Sequence, residues 1–202
     1  MTSIYEIKPK FQDLLRPLTN QLATNGVTAN EVTLAALVLS LLTGIVLVFA
    51  GKQTGLFLLV PLVMFVRMAL NAVDGMLARE HDMKTPLGAI LNELCDVISD
   101  TALYLPFALL PEISIWIIVL LVIAAIISEM TGVIAVQIGA SRRYDGPMGK
   151  SDRAFVFGAI ALALGLGMPS GSWLNELFAL ALLLTLATSY NRARHALSEI
   201  QV

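Results

Sequence analysis

Asn71, Asp74 and Ala78 lie three and four residues apart, and Asn92, Asp96 and Asp100 follow one another at steps of four. Such steps place side chains on one face of a helix, so each set forms a row. Two helices facing each other across these rows would gather carboxylate and amide oxygens, the ligands that hard divalent cations take. Both rows fall inside long apolar stretches. A carboxylate at bilayer depth costs between a few and ~10 kcal/mol, according to how far it reaches water, so it usually marks a site that uses it.

Composition describes the elements that must position these rows. Of 202 residues, 57% are hydrophobic and 14% charged, and the mean hydropathy is +0.79. Soluble domains carry about a quarter charged residues. Six apolar stretches, near 31–51, 55–79, 86–109, 112–138, 153–169 and 172–192, approach the ~20 residues a helix needs to cross hydrocarbon. They predict an all-α integral membrane protein with six transmembrane helices over 31–192, a single domain over 1–202 and no room for a separate soluble one. Within 1–27, Ile4, Ile7, Phe11, Leu14, Leu18 and Leu22 recur at helical spacing between charged residues. That pattern predicts an amphipathic helix lying on the membrane surface ahead of the first span. Pro9 and Pro17 are expected to interrupt or kink it.

The net charge of −2 says little, but its distribution orients the chain. With six spans, the termini and the loops after spans two and four share one side, which holds eleven Lys and Arg against Lys52 alone opposite. The excess predicts that both termini, the Arg79 end of the polar rows and the loop at 141–153 are cytoplasmic. No nucleic-acid partner is expected. Cys95 is the sole cysteine, reads as a small packed residue and can form no intramolecular disulfide. Trp116 and Trp173, near span ends, read as interfacial anchors, and His81 and His195 as solvated. Thr28 or Asn30 could cap the first span. Glu129, inside span four, could line a cavity; pairing with Arg67, another charge within the membrane, is the favoured reading.

The order Asn71-x2-Asp74-Gly75-x2-Ala78-Arg79-x8-Gly88-x3-Asn92-x3-Asp96 resembles the signature D-x2-D-G-x2-A-R-x8-G-x3-D-x3-D of the CDP-alcohol phosphatidyltransferase family. All spacings match, and two of the four aspartates are asparagine here, at 71 and 92. The resemblance extends to the surface helix, the six spans and the cytoplasmic site. It implies transfer of a phosphatidyl-type group from a CDP-activated lipid, CDP-diacylglycerol, to an alcohol, with release of CMP, in phospholipid biosynthesis. It also implies Mg²⁺ or Mn²⁺, two per site, surrounded by Asn71, Asp74, Asn92 and Asp96. Asp96 would further be the base that takes the acceptor's proton. Asn30, Thr33, Asp74, Gly75, Ala78, Arg79 and Gly88 would meet the CDP group. Arg142, Lys150 and Arg153 would meet phosphate on the acceptor or the donor. Relatives are commonly homodimers, so a second copy of the chain is an implied partner, beside membrane lipids and the two substrates. The acceptor itself, with or without a phosphate of its own, is not named by these residues.

This chemistry has a physical rationale. Hard cations held by oxygens neutralise a diphosphate near hydrocarbon, and a carboxylate aimed at the hydroxyl gives general-base help worth ~10²–10⁴ in rate. Gly75 and Ala78 lack bulk that would block a nucleotide, and Arg79 offers a fork of donors. Replacing two aspartates by amides leaves the four-residue set at −2 instead of −4, which weakens its hold on metal. Glu93 and Asp100 could compensate; Asp100 continues the row, whereas Glu93 is turned about 100° from Asn92 on a regular helix. Two other readings follow: a relative that binds nucleotide or metal without turnover, and an ion-coupled transporter.

Overall fold

Backbone amides in hydrocarbon find no water to bond, so an apolar stretch long enough to cross must satisfy them internally, as a helix. Each of the six apolar stretches is helical over most of its described length in the computed structural model, which describes residues 4–49 and 53–200, with side chains from Pro9 onward. Lys52, used for the charge count, and the side chains of Ile4, Ile7 and Lys8 lie outside the described residues.

The helices are α1 (Ile4–Thr24), α2 (Ala29–Phe49), α3 (Leu59–Glu80), α4 (Pro86–Tyr104), α5 (Ile115–Ile134), α6 (Lys150–Gly165) and α7 (Trp173–Ile200). Short 3-10 turns at Thr54–Leu58, Leu105–Leu109 and Ala135–Ile138 extend α3, α4 and α5. Among the described residues, four segments are long and apolar enough to span a membrane: Ala29–Phe49, Thr54–Glu80, Ile115–Ile138 and Trp173–Ile200. The other two fall short for separate reasons. α4 carries Glu93, Asp96 and Asp100, and α6 has only 16 residues. Large apolar side chains stay exposed along the helices, including Leu42, Ile45 and Phe49 on α2 and Trp116, Leu120 and Ile127 on α5. A helix that is apolar on its outer as well as its inner face suits a lipid surround.

α1 runs unbroken through Pro9 and Pro17, contrary to the expected interruption. Each proline removes a single i→i−4 bond and leaves the flanking ones in place. The helix ends at Gly26, whose φ of +76° lies in the left-handed region. There Val27 N–H reaches Leu22 O and Gly26 N–H reaches Ala23 O, the paired bonds of a Schellman stop.

The helices form two compact units, one of residues up to Leu42 with Leu62–Ser99, the other of Thr43–Pro61 with Asp100 onward. In the first, Ala29, Val32, Val73 and Leu77 make a buried cluster on which Leu15 and Leu22 of α1 pack. α1 is also tied to α3 by polar contacts. Arg16, which also pairs with Asp13, meets the Glu80 carboxylate at 3.1 and 3.2 Å, and His81 Nε2 lies 3.1 Å from Asn20 Oδ1. Hydrogen bonding to Glu80 raises the Arg16 pKa further, so the guanidinium stays charged.

The second unit is centred on buried aromatic rings. Tyr104 stacks on Phe157 at 4.0 Å, and Phe107 meets both Phe57 and Phe157 edge-on at 5.0 Å. Gly146, at φ +125°, has no room for a Cβ because Thr188 occupies that space. Met148 N–H then donates to Thr188 Oγ1 at 2.9 Å, which fixes the polar loop onto α7.

Candidate active site

Three helix ends of the first unit converge: the start of α2, the end of α3 and the start of α4. Each is placed by local chemistry. Thr28 caps α2, since Glu31 N–H donates to Thr28 Oγ1 at 3.3 Å while Glu31 Oε2 accepts from Thr28 N–H at 2.7 Å. This reciprocal capping box resolves the choice between Thr28 and Asn30. Thr85 caps α4, accepting from Gly88 N–H at 2.9 Å, with Pro86 at the first helical position, where its missing N–H costs nothing.

The ends enclose a cavity of about 380 Å³. From α2 it is lined by Asn30 and Thr33; from α3 by Asp74, Gly75, Ala78 and Arg79; from α4 by Gly88, Asn92 and Glu93. All seven residues expected to meet a CDP group therefore face one space. Thr33 Oγ1 donates to Asp74 Oδ2 at 2.7 Å, orienting a carboxylate that is only 4% exposed. The missing side chain at Gly75 makes room for Arg79, because a Cβ there would lie 3.0 Å from its Nη2. At Gly88 a Cβ would lie 2.7 Å from Asn30 Oδ1 and 3.0 Å from Thr85 Oγ1. Ala29, Met83, Lys84, Thr85 and Ala89 complete the lining; these were not expected. The Thr85-Pro86 pair carried a helix-start signal, whereas Lys84 was legible only as a cytoplasmic charge.

Asn71 and Asp96 are not among the lining residues. They meet each other, Asn71 Nδ2 donating to Asp96 Oδ1 at 3.1 Å, with Arg67 Nη2 at 3.4 Å from the same oxygen. Of the two auxiliary carboxylates, Glu93 reaches the cavity, and Asp100 is buried at the beginning of the second unit. No cluster of three or more His, Cys, Asp or Glu fit to hold a metal occurs among the described residues. A cation here would rely on Asp74 and Asp96 together with amide oxygens of Asn71 and Asn92. That set is all oxygen, which fits a hard divalent ion, at reduced charge.

The basic residues at 142–153 belong to the second unit. Arg153 is 1% exposed and donates to Glu129 Oε1 at 2.7 Å and to Met148 O at 2.9 Å. Arg192 lies 3.2 Å and Arg142 3.8 Å from Glu129, and Arg142 also sits over the Tyr144 ring at 4.3 Å. The described partners of Glu129 are thus these arginines, while Arg67 donates to Asp96. Lys150 is the first residue of α6, behind Gly149, whose N–H donates to Asp152 Oδ2 at 2.9 Å. In the loop, the Arg143 guanidinium holds the Asp145 carboxyl below the usual carboxylate range.

With this geometry in place, known proteins supply a context. The family described as CDP-alcohol phosphatidyltransferase matches residues 26–190. The chain is 52% identical over 195 residues to the inner membrane protein YnbA of Escherichia coli K12, covering 96% of both. It is 33% identical over 104 residues to an uncharacterized protein of Aquifex aeolicus, covering 52% of this chain and 49% of the other. Among solved structures it is similar to the phosphatidylinositol phosphate synthase PgsA1 of Mycobacterium tuberculosis in complex with manganese and citrate. The TM-score is 0.75 at 19% identity, with 90% of this chain and 88% of that one covered. The same enzyme with CDP-DAG bound also gives 0.75, at 20% identity, covering 89% and 92%.

Proposed function

Because the chain belongs to the CDP-alcohol phosphatidyltransferase family, we propose that it transfers a phosphatidyl group from CDP-diacylglycerol to an alcohol and releases CMP. The observation that carries this reading is the single cavity that takes in Asn30, Thr33, Asp74, Gly75, Ala78, Arg79 and Gly88. CDP-DAG is bound by a protein of the same fold.

In the proposed reaction the nucleotide lies against the small residues Gly75, Ala78 and Gly88, and Arg79 offers its donor fork to the diphosphate. Asp74, oriented by Thr33, and Asp96, with the amides of Asn71 and Asn92, would hold Mg²⁺ or Mn²⁺, two per site. Manganese is bound in the PgsA1 structure. When bound, such ions would neutralise diphosphate charge and steady both the entering and the leaving oxygen. Asp96, its Oδ1 anchored by Asn71 and Arg67, takes the proton from the acceptor hydroxyl. The hydroxyl oxygen bonds to the lipid-side phosphorus, the phosphoanhydride bond breaks, and CMP leaves with that bond's electron pair. The family resemblance further assigns Arg142, Lys150 and Arg153 to contacts with phosphate of the acceptor or the donor.

The chain is proposed to work as one domain with six spans, a surface helix at 1–27 and both termini cytoplasmic, in the inner membrane that the E. coli relative's name specifies. The family resemblance further suggests a homodimer. Purified protein given CDP-diacylglycerol, Mg²⁺ or Mn²⁺ and a panel of alcohols should release CMP with the correct acceptor, read by chromatography. Release with none of them would favour the second reading, a CDP-binding relative without turnover. The amides at 71 and 92 are the observation behind that alternative.

Two variants probe the cavity. Gly88→Ala should weaken CDP binding by up to about tenfold, the scale of one displaced hydrogen bond, because the new methyl displaces Asn30. Calorimetric titration with CDP measures it. Restoring charge with Asn71→Asp and Asn92→Asp together should tighten Mn²⁺ binding, read by titration without substrate. Unchanged affinity would separate these amides from the metal.

A further inference from the structure

The charged side chains that line the cavity of the first unit are Asp74, Glu93, Arg79 and Lys84, two of each sign. The two cations come from different elements. Arg79 folds back along α3 over Gly75, where a Cβ would lie 3.0 Å from its Nη2 and 3.2 Å from its Nη1. Lys84 stands in the link between α3 and α4, directly before Thr85, whose hydroxyl accepts from Gly88 N–H at 2.9 Å. Asp82, at φ +54°, turns the chain two residues earlier, so the link is fixed on both sides of Lys84. Lys84 is exposed as well as cavity-lining, which places it at the mouth. Among the described residues of this unit, ion pairs hold Arg16 and Arg67, on Glu80 and Asp96. Neither Arg79 nor Lys84 enters one. α2 and α4 also begin at this cavity, and helix N-termini carry positive partial charge.

We propose that Lys84 and Arg79 together seat the CDP diphosphate, and that this cavity captures CDP without a divalent ion. A diphosphate joining a nucleoside to a lipid carries one negative charge on each phosphorus, so two cations match it. The amide of Asn92 serves the same balance. A third carboxylate in this wall would leave the lining net negative and repel an incoming anion. The proposal rests on the transferase reading for the identity of its ligand. Lys84 falls among the eight positions between Arg79 and Gly88, a gap in which no spacing marks it. It is a binding residue and exchanges no proton in the transfer.

The test titrates the full chain in detergent with CDP by calorimetry, first in EDTA and then with Mn²⁺. In EDTA the wild-type protein should bind, and Lys84→Ala should weaken the affinity about tenfold, the scale of one charge-assisted hydrogen bond. Lys84→Arg, which keeps the charge, should stay within about threefold of wild type. Lys10→Ala removes an exposed lysine of α1 and should leave the affinity unchanged. Added salt should weaken wild-type binding more steeply than binding to Lys84→Ala. An affinity that Lys84→Ala leaves within about twofold, or that Lys10→Ala lowers as much, overturns the role of Lys84. Binding that requires Mn²⁺ overturns metal-free capture and leaves the transferase reading standing. No CDP binding in either condition sinks both.

Discussion

Asp96→Asn in the purified protein should lower CMP release by at least ~10²–10⁴, the range a positioned general base contributes, and weaken Mn²⁺ binding, while leaving metal-free CDP binding close to wild type. The amide keeps the size of the side chain and can still accept at Oδ1, where Asn71 and Arg67 now converge at 3.1 and 3.4 Å. What it loses is the ability to take a proton, together with the negative charge that would help hold a cation. Asp74→Asn should behave differently. Asp74 lines the cavity and receives the Thr33 hydroxyl at 2.7 Å, so its loss removes negative charge where cation and nucleotide would meet. CMP release should disappear together with metal-dependent CDP binding. Rate assays beside calorimetric titrations of CDP, with and without Mn²⁺, separate the two outcomes. Full activity in both variants would refute the assignment.

The second large effect concerns stability. Arg153→Leu should lower the unfolding free energy by ~3–5 kcal/mol, the usual result of removing one partner from a buried ion pair. Arg153 is 1% exposed, and its removal deprives Glu129 of its 2.7 Å contact and Met148 O of a donor. Arg192, 3.2 Å from the same carboxylate, remains as a counter-charge, which places the loss toward the lower end. A fall in the thermal midpoint in detergent measures it. An unchanged midpoint would mean that the pair contributes nothing net.

How far these features were legible in the sequence depends on the range of the interaction. Helical periodicity puts Asn71, Asp74 and Ala78 on one side of α3 before any coordinates; Asp74 and Ala78 do line the cavity, whereas Asn71, at the far end of that row, bonds Asp96 outside its lining. The same periodicity turns Glu93 away from Asn92, yet both line the cavity, which is broad enough to draw on neighbouring faces of α4. Charge pairing inside apolar stretches was the least legible feature. Arg67 was matched with Glu129 because both are charged within the membrane, but a partner is chosen by which helices pack. Glu129 meets arginines from the 141–149 loop, α6 and α7, and Asp96 meets Arg67 of α3. Six apolar stretches were readable as helices. Whether α4 and α6 cross is not readable from hydropathy, since three carboxylates in one and the short length of the other mask the signal.

The capping box at Thr28 has an evolutionary corollary. Sealing the first turn of α2 is assigned to Thr28 and Glu31, which leaves Asn30, two positions further on, under no duty to the backbone. Neighbouring positions can therefore drift under separate pressures, one set by folding and the other by whatever fills the adjacent hollow. Homologues with different head-group chemistry could retune Asn30 without unravelling the helix that carries it.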